Sequence, residues 1–359
     1  MPASYATHRA QLQALLSAWG MPAAFAHRTA EVMSWADLHG IDSHGISMVP
    51  IYHERQAKGR VNMAAQPRVL KETPVSALMD GDGGLGHEPG RQAMELAIAK
   101  AKLAGIGVVV VRNSSHFGAC GFYTGMAAEA GLIGMAATSA SLVQVAPTGG
   151  AQARLGTDPW SFAAPSADGA PFLLDMATTT VAAGRVRNKA NENQPAPPGW
   201  LLTKDGQPST DPLEALQKGG FLTSLGGSAE GSSYKGYGLA VMVNILSACL
   251  SGSTLITSPM HMKQPSGMDM GHFFLALNPT LFREQDAFEA DVAALCGALR
   301  DTKPMDPAAP VMVAGDKERK SAEQRLQSGI PVGPGLLQKI EQVAQASGVP
   351  FMLGEARAA

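Results

Sequence analysis

Apolar positions open the chain at helical spacing, with Leu12, Leu15, Leu16 and Trp19 inside residues 7–19 and Phe25, Ala26, Val32, Met33, Ala36 and Leu38 inside residues 24–39. Gly40 stands where a helix C-terminus takes a left-handed residue, so the second helix is expected to stop there. A third helix is expected to begin with Ser47 as N-cap, because a start at Asp42 would put Pro50 in the helix interior. On that placement His44 lies exposed in a turn, held between Gly40 and Gly45. The helix runs to about Lys58, and residues 59–62 close it.

From about residue 70 the pattern changes to short β-rich runs alternating with Ala-rich helices. A strand over 75–79 leads into the glycine-rich stretch 81–86, and a helix of period 3.6 follows over 91–104. Residues 107–112 read as a buried strand ending at Asn113-Ser114-Ser115-His116-Phe117-Gly118. A helix over 121–130 then leads to a strand over 132–138, which ends at Ser139-Ala140-Ser141. Strand, crossover helix and strand are parallel and right-handed, which puts His116 and Ser139 on one carboxyl edge, where ligands collect. Residues 172–176 form a short strand carrying Asp175. Residues 188–212, rich in Pro, Asn and Gly, read as a long surface excursion able to cover a site. Residues 226–233 are a flexible lead into Tyr234-Lys235-Gly236-Tyr237-Gly238 and an apolar helix to residue 250, read as buried. It is too short and too interrupted by polar residues to span a bilayer. A strand over 272–277, a helix over 282–299 and a charged helix from Gly315 to about Gly329 complete the pattern. The class is α/β of mixed α+β character.

Composition narrows the partners. At 359 residues the chain has room for about two domains. Lys and Arg total 28 against 30 Asp and Glu, so no sequence-wide basic field draws nucleic acid. Cys120, Cys249 and Cys296 show no disulfide spacing, and no basic-then-apolar leader opens the chain; a cytoplasmic location is the expectation.

Several features carry candidate chemistry. Gly81–Gly86 fits G-x-G-x-x-G after a strand. Pro89 and Gly90 separate it from the next helix, and the following strand ends in Arg112 rather than an acidic ribose ligand, so it reads as a plain turn. His44 and His116 are each either structural hydrogen-bonding groups or acid–base groups. Asp175, at a strand end, either orients an imidazole and tunes it near neutral pH or caps a helix. Lys235, at a helix N-terminus, is an anion-binding group or a solvated lysine. No metal is expected, since His261 and His272 lack ligand spacing and no H-E-x-x-H or C-x-x-C occurs. Ser114 and Ser115 sit in no G-x-S-x-G elbow, which disfavours a serine hydrolase.

Taken in order, Asp42-Ser43-His44-Gly45, Asn113–Gly118, Ala146-Pro147-Thr148-Gly149-Gly150, Leu155-Gly156-Thr157-Asp158-Pro159, Leu174-Asp175-Met176-Ala177-Thr178, Lys235-Gly236-Tyr237-Gly238-Leu239 and Gly315-Asp316 resemble the malate/L-lactate dehydrogenase family, which is distinct from the Rossmann-type lactate and malate dehydrogenases. That family includes sulfolactate and ureidoglycolate dehydrogenases, diketogulonate reductase and a piperideine-2-carboxylate reductase. The resemblance covers nearly the whole chain. It implies a non-Rossmann, sulfolactate-dehydrogenase-like fold: a largely helical domain from both chain ends (1–70 with 281–359) and an α/β domain (71–280) that binds NAD or NADP. It further implies a homodimer and reversible hydride transfer to the carbonyl of a small 2-oxo acid or related ketone, or to the C=N bond of a cyclic imino acid; a non-catalytic ligand-binding relative is disfavoured by the presence of both histidines and Asp175. His44 matches the family's proton donor, His116 a second acid or base, and Asp175 the group that orients the imidazole. Ser43, Ser139, Ala140, Leu174, Met176, Lys235, Gly236, Gly315, Asp316 and Lys317 match cofactor-contacting positions. The chain departs from the family where an arginine four residues after the histidine clamps the substrate carboxylate: it has Met48, and a thioether cannot replace a bidentate guanidinium. Either Arg55, Arg187 or Lys189 supplies that charge from another direction, or the substrate lacks a carboxylate at that place and presents an apolar group.

Overall fold

The computed structural model describes residues 2–258 and 269–354; His261 lies outside them. Helices α1 (Tyr5–Ala18), α2 (Ala23–Leu38) and α3 (Val49–Ala57) follow the apolar periodicity. Gly40 takes φ +79°, the left-handed stop expected of it. The start of α3 differs from expectation. A single 3-10 turn, Ile46–Met48, precedes it, and Ser47 does not cap it: the Ser47 hydroxyl donates to the Asp42 carbonyl at 2.5 Å. Pro50 still falls in the tolerant first turn.

The central sheet has order β1-β2-β3-β10-β4-β5-β6. Its strands are β1 (Arg68–Glu72), β2 (Ser76–Asp80), β3 (Ile106–Ser114), β4 (Ile133–Thr138), β5 (Trp160–Ala164), β6 (Phe172–Met176) and β10 (Met270–Leu277). β2 and β3 are parallel, and β10 is antiparallel to both β3 and β4, so β3 and β4 share a direction with one late strand between them. Two further antiparallel pairings bring β6 back to the same direction. The carboxyl ends of β3, β4 and β6 therefore lie on one edge; His116 and Ser139 share it as the crossover rule required, and Asp175 joins them through the two antiparallel pairings.

Helix α4 (His87–Ala104) begins earlier than expected, with Gly86 as N-cap. Pro89 and Gly90 are inside its first turn, where proline costs nothing, so they do not separate the glycine-rich stretch from the helix. The stretch is nevertheless no phosphate cradle, because its amides are spent internally. Gly81 and Gly83 donate to the carbonyls of Arg112 and Asn113, Gly84 to Gly81, and Gly86 to His116. Helix α5 (Cys120–Glu129) crosses from β3 to β4. α4 and α5 cover one sheet face on a core that includes Ala93, Met94, Ala97, Val109, Val111, Tyr123, Ala136 and Phe274.

The expected excursion over 188–212 is instead part of a small folded unit. Helix α6 (Ala183–Asn191), the short strands β7 (Leu201–Leu202), β8 (Pro208–Ser209) and β9 (Phe221–Leu222), and helix α7 (Leu213–Leu216) enclose Val186, Leu201 and Leu222. Its prolines and glycines make turns between paired strands. Helix α8 (Tyr234–Asn244) continues as a π turn, Ile245–Cys249. It is not wholly buried, since Tyr234, Ile245 and Leu250 are more than half exposed.

Helix α9 (Gln285–Arg300), expected with the terminal helices, lies against the sheet's periphery. Gln285 donates to the Gly131 carbonyl and Ala167 N–H to the Glu289 carbonyl. Helices α10 (Asp316–Ser328) and α11 (Pro334–Ala346) return to the N-terminal part. Ile340, Val343, Ala344 and Leu353 share a core with Leu12, Leu15, Leu16, Met33 and Tyr52, so the two chain ends pack as one body. The boundary at residue 70 falls within β1.

Candidate active site

The turn carrying His44 is fixed from below. Asp37, buried in the last turn of α2, accepts the Ile46 N–H at 2.6 Å and lies 2.9 Å from Nε2 of buried His8. A Cβ on Gly45 would fall 2.0 Å from that carboxylate, so only glycine lets the turn close over Asp37. From α10, Arg325 reaches Asp42 (3.1 Å to Oδ2) and the Asp37 carbonyl, tying the C-terminal helices to the turn. His44 is thereby half-buried rather than exposed as expected. Ser43 Oγ lies 2.8 Å from its Nδ1.

This rigid turn delivers the His44 ring onto the carboxyl edge of the sheet. His44 and His116 stack with centroids 5.3 Å apart and 28° between planes. From α3, Tyr52 places its hydroxyl 2.6 Å from His116 Nδ1, and the Gly118 N–H points at the same nitrogen at 3.4 Å. A backbone N–H only donates, so Nδ1 is the acceptor, Tyr52 donates, and the His116 proton resides on Nε2. Burial pushes the Tyr52 phenol above its usual range, which keeps it protonated and able to donate.

Two more histidines stand behind this pair. His87, at the start of α4, is fully buried between Tyr52 (5.7 Å, 81°) and His116 (6.3 Å, 66°), and neither of its nitrogens has a hydrogen-bond partner among the described residues. His272, on β10, is satisfied by Thr138 Oγ1 at 2.7 Å and Ser114 Oγ at 2.9 Å and stacks on Phe117. Burial lowers all four imidazoles: His44 to about 4, His87 and His272 to about 3, and His116 well below its usual range, where protonation would also meet the neighbouring imidazoles and the Arg55 guanidinium. These directions favour neutral rings near pH 7. Sequence reasoning missed Tyr52, His87 and His272. Only the spacing of Met48, Tyr52 and Arg55 along one face of α3, directly after the His44 turn, could have pointed to Tyr52.

Asp175 does not reach an imidazole here. Its Oδ2 accepts the Gly121 N–H at 2.7 Å, so it caps α5, and burial raises its carboxyl to about 6. The orienting role expected of it falls to Tyr52 for His116 and to Ser43 for His44.

The expected cofactor positions divide into two groups. Ser139 is structural: its N–H and Oγ exchange hydrogen bonds with Gly271 at 3.1 Å across β4 and β10. Gly236 is present because a Cβ there would meet Leu225 N at 2.3 Å. The Asp316 carboxylate is locked by Arg300 through two bonds of 2.9 Å and by Arg319. Hydrogen bonds from backbone N–H groups tie Ala140 and Gly236 together through residues that lie between them in sequence. Ala140 N–H donates to Asp158, Thr178 N–H to Thr157, Leu225 N–H to Thr178, and Gly236 N–H to Leu225. Separately, Leu173 N–H donates to Ala314, which sets Gly315 against the strand of Leu174 and Met176. That strand, β6, is a sheet edge, and Lys235 and Lys317 are exposed without a salt bridge among the described residues. The exposed Lys235 and Lys317 are the cations among these positions that could meet the phosphates of a dinucleotide. No cluster of metal-ligating side chains occurs among the described residues.

With this geometry established, the chain can be compared with known proteins. The sequence profile of malate/L-lactate dehydrogenases matches residues 3–341. A malate dehydrogenase of Pyrococcus horikoshii is 38% identical over 93% of this chain and 92% of its own. The crystal structure of malate dehydrogenase from Entamoeba histolytica superposes with a TM-score of 0.93 at 32% identity, covering 98% of this chain and 99% of that one. A delta1-piperideine-2-carboxylate reductase from Pseudomonas syringae superposes at 0.85 and 28% identity, covering 96% and 100%. The mixed α/β fold with its seven-stranded sheet is that of the solved malate and sulfolactate dehydrogenases. The chain belongs to the malate/L-lactate dehydrogenase family.

Proposed function

We propose that this oxidoreductase transfers hydride reversibly between NAD(P)H and the carbonyl carbon of a small 2-oxo acid, with His44 and His116 moving the proton. The stacked imidazoles, one fixed by Tyr52 with its Nε2–H free, are the observation that carries the reading. Bound nicotinamide supplies or accepts the hydride. The protein holds the substrate oxygen near the imidazoles. In the oxidative direction the neutral His44 ring accepts the hydroxyl proton, while the His116 Nε2–H donates a hydrogen bond to the substrate oxygen. In reduction an imidazolium, with His44 as donor, returns it. The surface from Ala140 through Lys235 and from β6 to Gly315 and Lys317 is where the cofactor would lie.

Reduction of a cyclic imino acid is a second reading, supported by the reductase among the structural neighbours and by Met48 in place of a carboxylate-binding arginine. Both readings predict quenched protein fluorescence on titration with NADH or NADPH, followed by cofactor oxidation on a panel of 2-oxo acids, simple ketones and cyclic imines. Binding of neither cofactor overturns both; turnover of imines alone favours the second. A homodimer is proposed as well, supported by the exposed apolar side chains of Tyr234, Ile245 and Leu250, and light scattering of the purified chain tests it. No described helix is long and apolar enough to cross a membrane.

A further inference from the structure

Met48, Tyr52 and Arg55 are spaced i, i+4 and i+7, so they share one face of α3. Tyr52 binds His116. Arg55, one turn on, is half-buried, and its Nη1 is completely buried with no hydrogen-bond partner among the described residues. No salt bridge of Arg55 occurs among them either. Several other half-buried arginines are engaged: Arg91 by Glu31 and Glu95, Arg300 by Asp168 and Asp316, Arg325 by Asp42. Glu54, beside Arg55 in sequence, faces solvent and pairs with Lys58. A buried charged donor without an acceptor is costly, and proteins keep such groups where an anion will arrive.

The alternatives do not serve. Arg187 is exposed on α6, and Lys189 is held by Gln194 at 2.6 Å. Met48 packs into the core shared by the chain ends. Arg55 follows Tyr52 on the same face of α3, and its charge opposes protonation of His116.

We propose that Arg55 binds the substrate's carboxylate, beside the imidazoles that handle the oxygen on the neighbouring carbon. The assignment rests on the 2-oxo or imino acid reading above and names its anchoring group. A carboxylate supplies the planar, singly charged acceptor that a guanidinium fork takes up. Its arrival also cancels the positive charge that opposes protonation of His116, so substrate binding moves the His116 pKa back up toward its usual range.

The test is calorimetric titration of the full chain with oxamate, a carboxylate-bearing mimic of 2-oxo acids, at saturating NADH or NADPH. Arg55→Gln should weaken oxamate binding about 10- to 100-fold and raise KM for 2-oxo acids by a similar factor, the range for a hydrogen-bonded charge. Cofactor affinity should stay within about twofold, and added guanidinium ion should restore part of the loss. Oxamate affinity within about threefold of wild type, in a variant with native circular dichroism, overturns the assignment. Should Arg55→Gln fail to fold, Arg55→Lys decides: it keeps the charge and loses the fork, and unchanged oxamate affinity there overturns it equally. If neither cofactor binds the wild type, the proposed reaction fails on its own, and oxamate titrated against the cofactor-free chain still reads Arg55.

Discussion

Replacing Tyr52 by Phe removes one oxygen atom from the centre of the site. The phenyl ring keeps its place in the core and its edge contact with His87, while His116 Nδ1 loses the 2.6 Å hydroxyl and retains only the Gly118 N–H at 3.4 Å. That leaves His116 free to turn and to exchange its proton between nitrogens. A neutral hydrogen bond that fixes the ring and its tautomer is worth about 1 kcal/mol, so kcat should fall by about 3- to 10-fold in both directions. The fold should lose only about 1 kcal/mol, because a neutral hydrogen bond contributes little net stability. The sign of the pH effect follows from the tautomer. Tyr52 donates to a lone pair that only the neutral ring possesses, so it favours the neutral form; without it the His116 pKa rises, and the acid limb of alcohol oxidation moves to higher pH. Steady-state kcat against pH, with thermal unfolding as control, measures both effects. A kcat within about twofold of wild type and an unmoved acid limb would refute the role given to Tyr52.

His44→Ala should lower turnover by about two to four orders of magnitude with nearly unchanged cofactor affinity; an unchanged turnover moves the proton-donor role to His116. Gly45→Ala forces a Cβ into the Asp37 carboxylate and should destabilise the fold by about 1–3 kcal/mol, read as a lowered Tm together with lost activity. Acid should unfold the protein through its buried histidines. His87 titrates near 3 when folded and at its ordinary value of about 6.5 when unfolded, so its contribution is complete above about pH 6.5 and declines by about 1.4 kcal/mol per pH unit toward pH 3. Asp175, raised to about 6, acts in the opposite sense, stabilising as pH falls from 6 to its unfolded value. His87→Phe should therefore flatten the loss of stability between pH 6 and 4, and denaturant midpoints at several pH values would show an unaltered slope if the reasoning fails.

The features legible in the sequence were those that local chemistry encodes. The His44 turn announced itself by Gly40, Gly45 and Pro50; β3 and β4 by their runs of apolar residues; and their shared edge by the intervening helix. Features decided by distant partners were not legible. β1 exposes all of its side chains, so it has no apolar alternation to betray it. β10 looked like any apolar strand, and nothing local says that it inserts between β3 and β4. His87 and His272 lie in no motif and join the site through α4 and that insertion. Asp175 illustrates the reverse case. Its position at a strand end was right, but the nearest donor on arrival is an α5 amide, a contact between elements that are not neighbours in sequence.

The insertion of β10 also bears on how the chain is made. His272 meets Ser114 across 158 residues of sequence, so β3 and β4 leave the ribosome long before the strand that joins them. Until then each presents an apolar edge with unpaired backbone groups, the kind of surface that recruits other nascent chains. The high separation of these contacts favours slow folding. The catalytic edge is thus among the last parts of the molecule to exist, and partial chains ending before Met270 should aggregate rather than show partial activity.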